Sequence, residues 1–387
     1  MRILFYIIGN DRRSNVVTGD SIRTGGASAS GTDTSAILVA EYLAKVGHEV
    51  VIACGYTSPG TNSRGVTYTN LQFDEIENRE FDLLISMLWF DKYTSLPIKV
   101  TKGIIYWSHM QWMYGTREVE SYAELHNLKV GLVHVSEWER FHNSGEATEM
   151  KNRNPTLVQK VIPNALLVDI IPEIENLHLP RNDHKFVFHA TWARGGRVAY
   201  DAINRLDWKR KELHAYDYLM NIDINWGRQN ESLTPDTTFF FNHNGSDKMS
   251  IYKDLAEASY FLYPLYTPYS DVHKDTFSCV IAEALAMGTI VLTYPLGAVP
   301  EYYQDYCVWL PFPEGIDPTA LQGEPLTKDL DGKFTNVEGI VKTLNYLNDN
   351  PLLKEQYRQK GKEVISKLHP DKIGKLWEEL FTEMGMV

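Results

Sequence analysis

The segment at 263–303 decides how the fold is interpreted, and it reads YPLYTPYSDVHKDTFSCVIAEALAMGTIVLTYPLGAVPEYY. Its apolar residues recur at the spacing of one helix face, at Phe277, Val280, Ile281, Ala284 and Leu285. This period predicts an amphipathic helix over 276–287. A glycine follows, and the apolar run at 289–293 then predicts a buried strand.

Two carboxylates accompany this predicted helix. Asp275 precedes it, and Glu283 lies off its apolar stripe, with seven residues between the two. The amides of Thr276, Phe277 and Ser278 then form the first helical turn, where N–H groups lack an intrahelical acceptor. Such a turn binds anions and suits a diphosphate. The carboxylates could accept hydrogen bonds from sugar hydroxyls, whereas the structural alternative is an N-capping Asp275 with a solvated Glu283.

The rest of the chain alternates short β-rich runs with stretches of helical period, which predicts parallel sheets in an α/β fold. Strands are predicted at 3–8, 49–54, 82–87, 103–107 and 130–135, and again at 185–189, 212–216, 237–242, 260–264 and 289–293. A stretch with three prolines at 161–180 separates the two series and predicts a linker. We therefore expect two doubly wound domains that bind ligands at the carboxyl ends of their strands.

Composition excludes several classes of protein. The net charge of −12 over 387 residues argues against nucleic-acid binding through a basic surface and against strong adhesion to anionic membranes. The three cysteines are widely spaced, which predicts a reducing compartment rather than disulfides or a cysteine zinc site. The apolar run at 3–8 is too short for a signal-peptide core or a membrane span. We expect a cytoplasmic protein, with a peripheral membrane contact left open.

Three further segments carry candidate ligand-binding residues. Arg194 and Arg197 stand beside glycines at a predicted helix start, where forked guanidinium donors suit phosphate; a surface ion pair is the alternative for Arg197. Gly25 and Gly26 belong to a glycine-rich loop without a dinucleotide fingerprint, so a turn with a helix cap is the alternative. His109 follows the carboxyl end of a predicted strand, although a lone histidine is often structural.

The segment at 275–288 resembles the nucleotide-sugar motif of retaining GT-B glycosyltransferases, in particular glycosyltransferase family 4. That family carries two acidic residues as E-x7-E, within EGFG…EAMAxG. Here Asp275 replaces the first glutamate, and Ser278 replaces the glycine after the aromatic residue. Arg194 matches the lysine of the family's R-K-G, and Ala193 stands where the preceding arginine belongs. The resemblance covers nearly the whole chain.

The resemblance implies the GT-B fold, an α/β architecture of two Rossmann-like, doubly wound domains facing a central cleft. It implies an N-terminal acceptor domain at 1–168, completed by a C-terminal helix at about 372–387, and a nucleotide-sugar donor domain at 169–371. The implied reaction moves a sugar from a UDP- or GDP-linked donor to a hydroxyl of a carbohydrate or glycoconjugate acceptor. It proceeds with retention of configuration and without a metal or other cofactor.

The resemblance also implies roles for single residues. Asp275 contacts the donor sugar and His109 approaches its reacting carbon, Glu283 holds the ribose, and the donor phosphates lie against Arg194, Arg197, Gly25, Gly26 and 276–278. Alanine variants at 194 and 283 are then expected to weaken nucleotide-sugar binding without unfolding the chain. The main alternative is a catalytically silent GT-B sugar-binding or scaffold protein, since positions 275 and 278 depart from the motif. An epimerase-like enzyme would need a different acid–base set, and a nicotinamide oxidoreductase would need the missing fingerprint.

Overall fold

The chain divides into two compact units. Unit 1 comprises Met1–Val168 and Leu368–Val387, and unit 2 comprises Asp169–Lys367. The structure is a computed structural model, and it describes residues 1–7, 17–25, 29–54, 60–69, 79–87, 98–113, 115–190, 194–216, 239–243, 247–264, 275–312 and 336–387.

In both units the helices of the described residues pack against the sheets. In chain order they are α1 (Gly19–Thr24), α2 (Gly31–Lys45), α3 (Thr116–His126), α4 (Glu137–His142), α5 (Ser144–Arg153), α6 (Ile171–Asn176), α7 (Gly196–Asn204), α8 (Lys248–Glu257), α9 (Cys279–Ala286), α10 (Val299–Tyr303), α11 (Val337–Asn348), α12 (Pro351–Gly361), α13 (Val364–Lys367) and α14 (Pro370–Glu383). Helix α6 occupies part of the stretch predicted as a linker. Prolines there did not exclude a helix, because Pro172 lies in its first turn, where the missing N–H would have no partner.

The described residues of unit 1 form an eight-stranded sheet. Its strands are β1 (Arg2–Ile7), β2 (Glu49–Cys54), β3 (Gly60–Thr61), β4 (Val66–Thr69), β5 (Glu80–Met87), β6 (Lys99–Trp107), β7 (Lys129–His134) and β8 (Val158–Val161). They follow the order β3-β4-β2-β1-β5-β6-β7-β8. Among these described strands β3 pairs antiparallel with β4, and the other neighbouring pairs are parallel. Because β2 and β5 flank β1 on opposite sides, the chain reverses its direction across the sheet at the carboxyl ends of β1 and β5.

The last helix of the chain, α14, packs against α2 in unit 1. The Tyr42 hydroxyl donates to Glu378 Oε2 at 2.6 Å, and Lys45 Nζ lies 2.8 Å from Asp371 Oδ1. Gly374 is the point of closest approach, because a Cβ there would lie 2.1 Å from Cδ1 of Tyr42. The C-terminal helix therefore completes the core of the first unit.

We predict that Gly374→Ala destabilises the protein by about 1–3 kcal/mol, because the added methyl group has no room beside the Tyr42 ring. Urea denaturation of the full chain measures the change. Gly145→Ala is the matched control, since a Cβ at this position in α5 meets nothing within 4 Å, and alanine there should be neutral or slightly stabilising. Equal stability of the two variants would contradict the packing described here.

In the part of unit 2 that the structure describes, six strands form one sheet, and every neighbouring pair of them is parallel. Its strands are β9 (Asn182–His189), β10 (Glu212–Tyr216), β11 (Phe239–Asn242), β12 (Ala258–Tyr263), β13 (Ile290–Thr293) and β14 (Val308–Trp309). They follow the order β11-β10-β9-β12-β13-β14. The chain adds β10 and β11 on one side of β9 and then returns to add β12 on the other. The switch point, where open α/β sheets bind ligands, therefore lies at the carboxyl ends of β9 and β12.

The apolar runs explain these central strands. Every residue of β12 and of β13 is buried, as expected for parallel strands covered by helices on both faces. The predicted α/β class, with parallel sheets of the doubly wound type, is confirmed.

Candidate functional site

The switch point of unit 2 brings together residues from two loops that are far apart in sequence. Strand β9 ends at His189 and the chain reaches Arg194 shortly afterwards, while β12 ends at Tyr263 and the chain returns at Asp275. Residues 191–193 and 265–274, which complete these loops, lie outside the described residues. Since β9 and β12 are neighbours, the polar groups that follow them meet.

Asp275 is the centre of this group. Its Oδ1 accepts a hydrogen bond from Arg194 Nη1 at 2.8 Å, and its Oδ2 accepts one from the Tyr263 hydroxyl at 3.0 Å. Its carbonyl accepts from the Ala298 amide at 2.9 Å. Asp275 is only 7% exposed, whereas the Arg194 side chain is 23% exposed. The carboxylate is thus held rigidly, and the guanidinium beside it can still be reached from solvent.

Helix α9 begins later than predicted. The expected start at 276 is wrong: the first helical residue is Cys279, and Ser278 is the N-cap, with its carbonyl accepting from the Ala282 amide at 3.3 Å. Apolar spacing did not reveal this, because Phe277 packs edge-on against Tyr302 while still outside the helix. The amides without an intrahelical acceptor are therefore those of 278–281, and Thr276 and Phe277 precede the helix. The Ser278 hydroxyl is buried and has no hydrogen-bond partner among the described residues.

Glu283 is buried rather than solvated, at 2% exposure. Its Oε1 forms an ion pair with Nζ of Lys248, the first residue of α8, which is 1% exposed. Its Oε2 lies 4.0 Å from Nδ1 of His189, and within the described part of the chain neither of these two atoms has a hydrogen-bond partner. Burial, together with the charge of Lys248, lowers the pKa of His189 to about 3. The imidazole is therefore neutral at physiological pH and can both donate and accept a hydrogen bond.

Lys248 is the residue that sequence reasoning missed. A signal was present, because Lys248 shares the helical stripe of Ile251, Tyr252 and Leu255. A lysine on an apolar stripe either extends its ammonium to solvent or meets a buried anion.

Arg197 occupies a different environment from Arg194. Its side chain is 77% exposed on α7, and Nε lies 3.9 Å from Asp201 Oδ2 one turn along the same helix. This is the surface ion pair that the sequence left open as the alternative. Arg194, before Gly195, is the arginine that reaches the carboxylate at the switch point.

The remaining candidates belong to unit 1. His109 follows β6, its ring centroid is 4.8 Å from that of Trp107, and burial lowers its pKa to about 3. Its imidazole is consequently neutral at physiological pH. Gly25 ends α1 with a φ of 90°, a backbone conformation that favours glycine. Gly26 lies outside the described residues.

Comparisons with known proteins identify the fold. No protein-family model matches the sequence, and a search of curated proteins finds no match. Among solved structures, the chain is similar to a sucrose-phosphate synthase from Thermosynechococcus elongatus, with a TM-score of 0.64 and 13% identity over 100% of this chain and 99% of that one. The chain is also similar to a glycosyltransferase from Rickettsia africae, with a TM-score of 0.63 and 14% identity over 99% of this chain and 98% of that one. The comparison with HepE from Anabaena, in complex with UDP-glucose, gives a TM-score of 0.56 and 11% identity over 99% of each chain.

These similarities extend over the whole chain, and they define the class of architecture. The protein has the GT-B fold, as the resemblance of the 275–288 segment implied. In the part of the chain that the structure describes, no helix combines the length and apolar character needed to cross a bilayer.

Proposed function

We propose that this protein is a glycosyltransferase that binds a nucleotide-diphosphate sugar in unit 2 and transfers the sugar to an acceptor hydroxyl. The observation that carries the proposal is the group formed by Arg194, Asp275 and Tyr263 at the switch point of the sheet, beside the start of α9. The names of the structural neighbours support it, because two of them are a sucrose-phosphate synthase and a glycosyltransferase. The UDP-glucose in HepE supports a nucleotide sugar as the donor.

In this proposal the protein stabilises the departing diphosphate. Negative charge grows on the phosphate oxygens as the bond between the sugar and the diphosphate breaks, and Arg194 and the amides at 278–281 present positive charge to them. A guanidinium has five N–H donors, so Arg194 can bind a phosphate oxygen while it remains bonded to Asp275. Asp275 positions the sugar through its hydroxyls, and Tyr263 holds that carboxylate in place.

The finer parts of the proposal rest on the resemblance. Retention of configuration, a UDP- or GDP-linked donor, a reaction without a metal, an acceptor domain in unit 1 and a cytoplasmic location all come from it. A neutral His109 suits an orienting role through hydrogen bonding rather than charge stabilisation. Glu283 would hold the ribose in the arrangement implied by the resemblance, with Lys248 and His189 beside it.

A silent sugar-binding or scaffold protein is the second candidate. It is favoured by a specific observation: the protein's own cations already pair both acidic residues of the motif, Arg194 with Asp275 and Lys248 with Glu283. A site whose two carboxylates are already neutralised by the protein's own cations could bind a sugar without transferring it.

A thermal-shift screen of UDP- and GDP-sugars tests the proposal. A donor present at a hundredfold excess over its Kd stabilises the fold by about 2.7 kcal/mol. Because the entropy of unfolding scales with chain length, we expect the melting midpoint of the 387-residue chain to rise by roughly 3 °C. The stabilising donor is then incubated with carbohydrate acceptors, and the glycosylated product and the released nucleotide are quantified. Transfer supports the enzyme, binding without transfer supports the silent protein, and the absence of any shift would overturn both.

A further inference from the structure

A second polar cluster lies in unit 2, apart from the residues assigned to the donor. It consists of His214 in β10, His243 directly after β11, and Asp254 in α8. His214 Nδ1 is 3.0 Å from His243 Nε2 and 3.0 Å from Asp254 Oδ2, and His243 Nε2 is 3.6 Å from Asp254 Oδ2. Two imidazole nitrogens and one carboxylate oxygen therefore converge on one point.

The distances between these three side-chain atoms match those between the ligand atoms of a tetrahedral metal site. Zinc bonds to histidine nitrogen and carboxylate oxygen at about 2.0–2.2 Å, so two ligand atoms on one ion stand about 3.3 Å apart. Hydrogen bonding alone explains the cluster less well. Nδ1 of His214 carries either one proton or one lone pair, so hydrogen bonding satisfies only one of its two contacts at 3.0 Å, whereas an ion would bond all three atoms at once.

The surrounding charges also suit a divalent cation. Lys185 Nζ donates to Asp254 Oδ1 and to Glu257 Oε2, each at 2.6 Å, which directs the other oxygen of Asp254 toward the histidines. The Glu212 carboxylate lies 3.7 Å from Nε2 of His214. Among the described residues named here, the three carboxylates of Asp254, Glu257 and Glu212 outnumber the one ammonium of Lys185.

The groups behind the three ligands resemble the outer partners of a metal centre. A carboxylate that accepts a hydrogen bond from the second nitrogen of a ligating histidine orients its ring and raises its basicity. The Glu212 carboxylate lies on that side of His214, at 3.7 Å from Nε2, which is beyond hydrogen-bond distance. The Tyr216 hydroxyl donates to the same Asp254 oxygen that faces the histidines. The His243 side chain is 31% exposed, so an ion can reach the cluster from solvent.

We propose that His214, His243 and Asp254 bind one divalent transition-metal ion, with zinc the best match to two imidazoles and a carboxylate. The ion joins β10 and the residue that follows β11 to α8. Helix α8 begins at Lys248, the partner of Glu283, so the metal would hold the element that supplies this buried cation. The role is structural, and the proposal is independent of the proposed transferase activity.

The test uses full-length protein without an affinity tag, stripped of metal with a chelator. Cobalt(II) is titrated first, because its visible absorption reports tetrahedral nitrogen and oxygen ligands, and zinc is then titrated by calorimetry. We expect one ion per chain and an affinity for zinc at least about tenfold weaker in His243→Ala and in Asp254→Asn. His178→Asn is the matched control, since His178 is exposed in unit 2 and has a φ of 47° that asparagine tolerates.

Two results would overturn the proposal. One is a wild-type protein that gives no cobalt spectrum and no saturable zinc binding, which decides the matter even if a variant does not fold. The other is a folded His243→Ala variant that binds zinc with wild-type affinity, since the ligands would then lie elsewhere. Circular dichroism of the metal-free proteins checks the fold in each case.

Discussion

Arg194→Ala is expected to lower kcat for sugar transfer by about 10²–10³, the usual effect of removing one group that stabilises developing negative charge. Its guanidinium is the cation bonded to Asp275 at the switch point, and its partial exposure leaves it accessible to a phosphate. The fold should tolerate the change, because Asp275 keeps its hydrogen bond from Tyr263. Steady-state kinetics with the donor found in the thermal-shift screen measure the effect.

Arg205→Ala is the control for this prediction, because Arg205 is an exposed arginine at the C-terminal end of α7, the helix that follows Arg194. It should leave kcat and KM unchanged. If Arg194→Ala also kept wild-type kcat and wild-type affinity for the donor, Arg194 could not be the group that binds the diphosphate. A fall in affinity without any turnover in the wild type would instead agree with the silent sugar-binding protein.

Lys248→Met is expected to destabilise the protein by about 3–5 kcal/mol, because Glu283 would keep a buried charge without its partner. Glu283→Gln should have a comparable effect, since it leaves the buried ammonium of Lys248 without a negative partner. Replacing both residues together should recover much of the loss, because neither charge then remains in the interior. Urea denaturation of the four proteins gives the coupling free energy.

Lys342→Met is the matched control, since the Lys342 side chain is 75% exposed and its Nζ lies 4.0 Å from Oε1 of the exposed Glu338. Its stability should lie within about 0.5 kcal/mol of the wild type. Single variants at Lys248 and Glu283 with that same small change would show that the pair is solvated in solution.

This pair changes how variants at Glu283 should be interpreted. From the sequence, alanine at 283 was expected to weaken nucleotide-sugar binding and leave the fold intact. The buried ammonium of Lys248 makes a loss of stability the first expected consequence, so any loss of binding must be measured where the variant is still folded. Arg194, which is partly exposed, gives the clearer test of donor binding.

Local patterns predicted the regular elements well. The run predicted as a strand at 49–54 is the strand Glu49–Cys54, and the run at 212–216 is Glu212–Tyr216. Strands in a parallel sheet are buried on both faces, so their sequences are continuous apolar runs that stand out. The start of α9 was less predictable, because a residue just outside a helix can pack on the same apolar face as the residues inside it.

The site required information that no local pattern contains. The alternation of strands and helices, the resemblance of the 275–288 segment and the acidic residues of the proposed chemistry can all be read from the order of the amino acids. Three pairings become visible only in the folded protein: Arg194 rather than Arg197 meets Asp275, Lys248 pairs with Glu283, and two histidines converge on Asp254. Sequence periodicity shows which face of a helix or strand is buried. The partner of a buried charge depends instead on which strands become neighbours in the sheet, because the loops after neighbouring strands meet at the same edge.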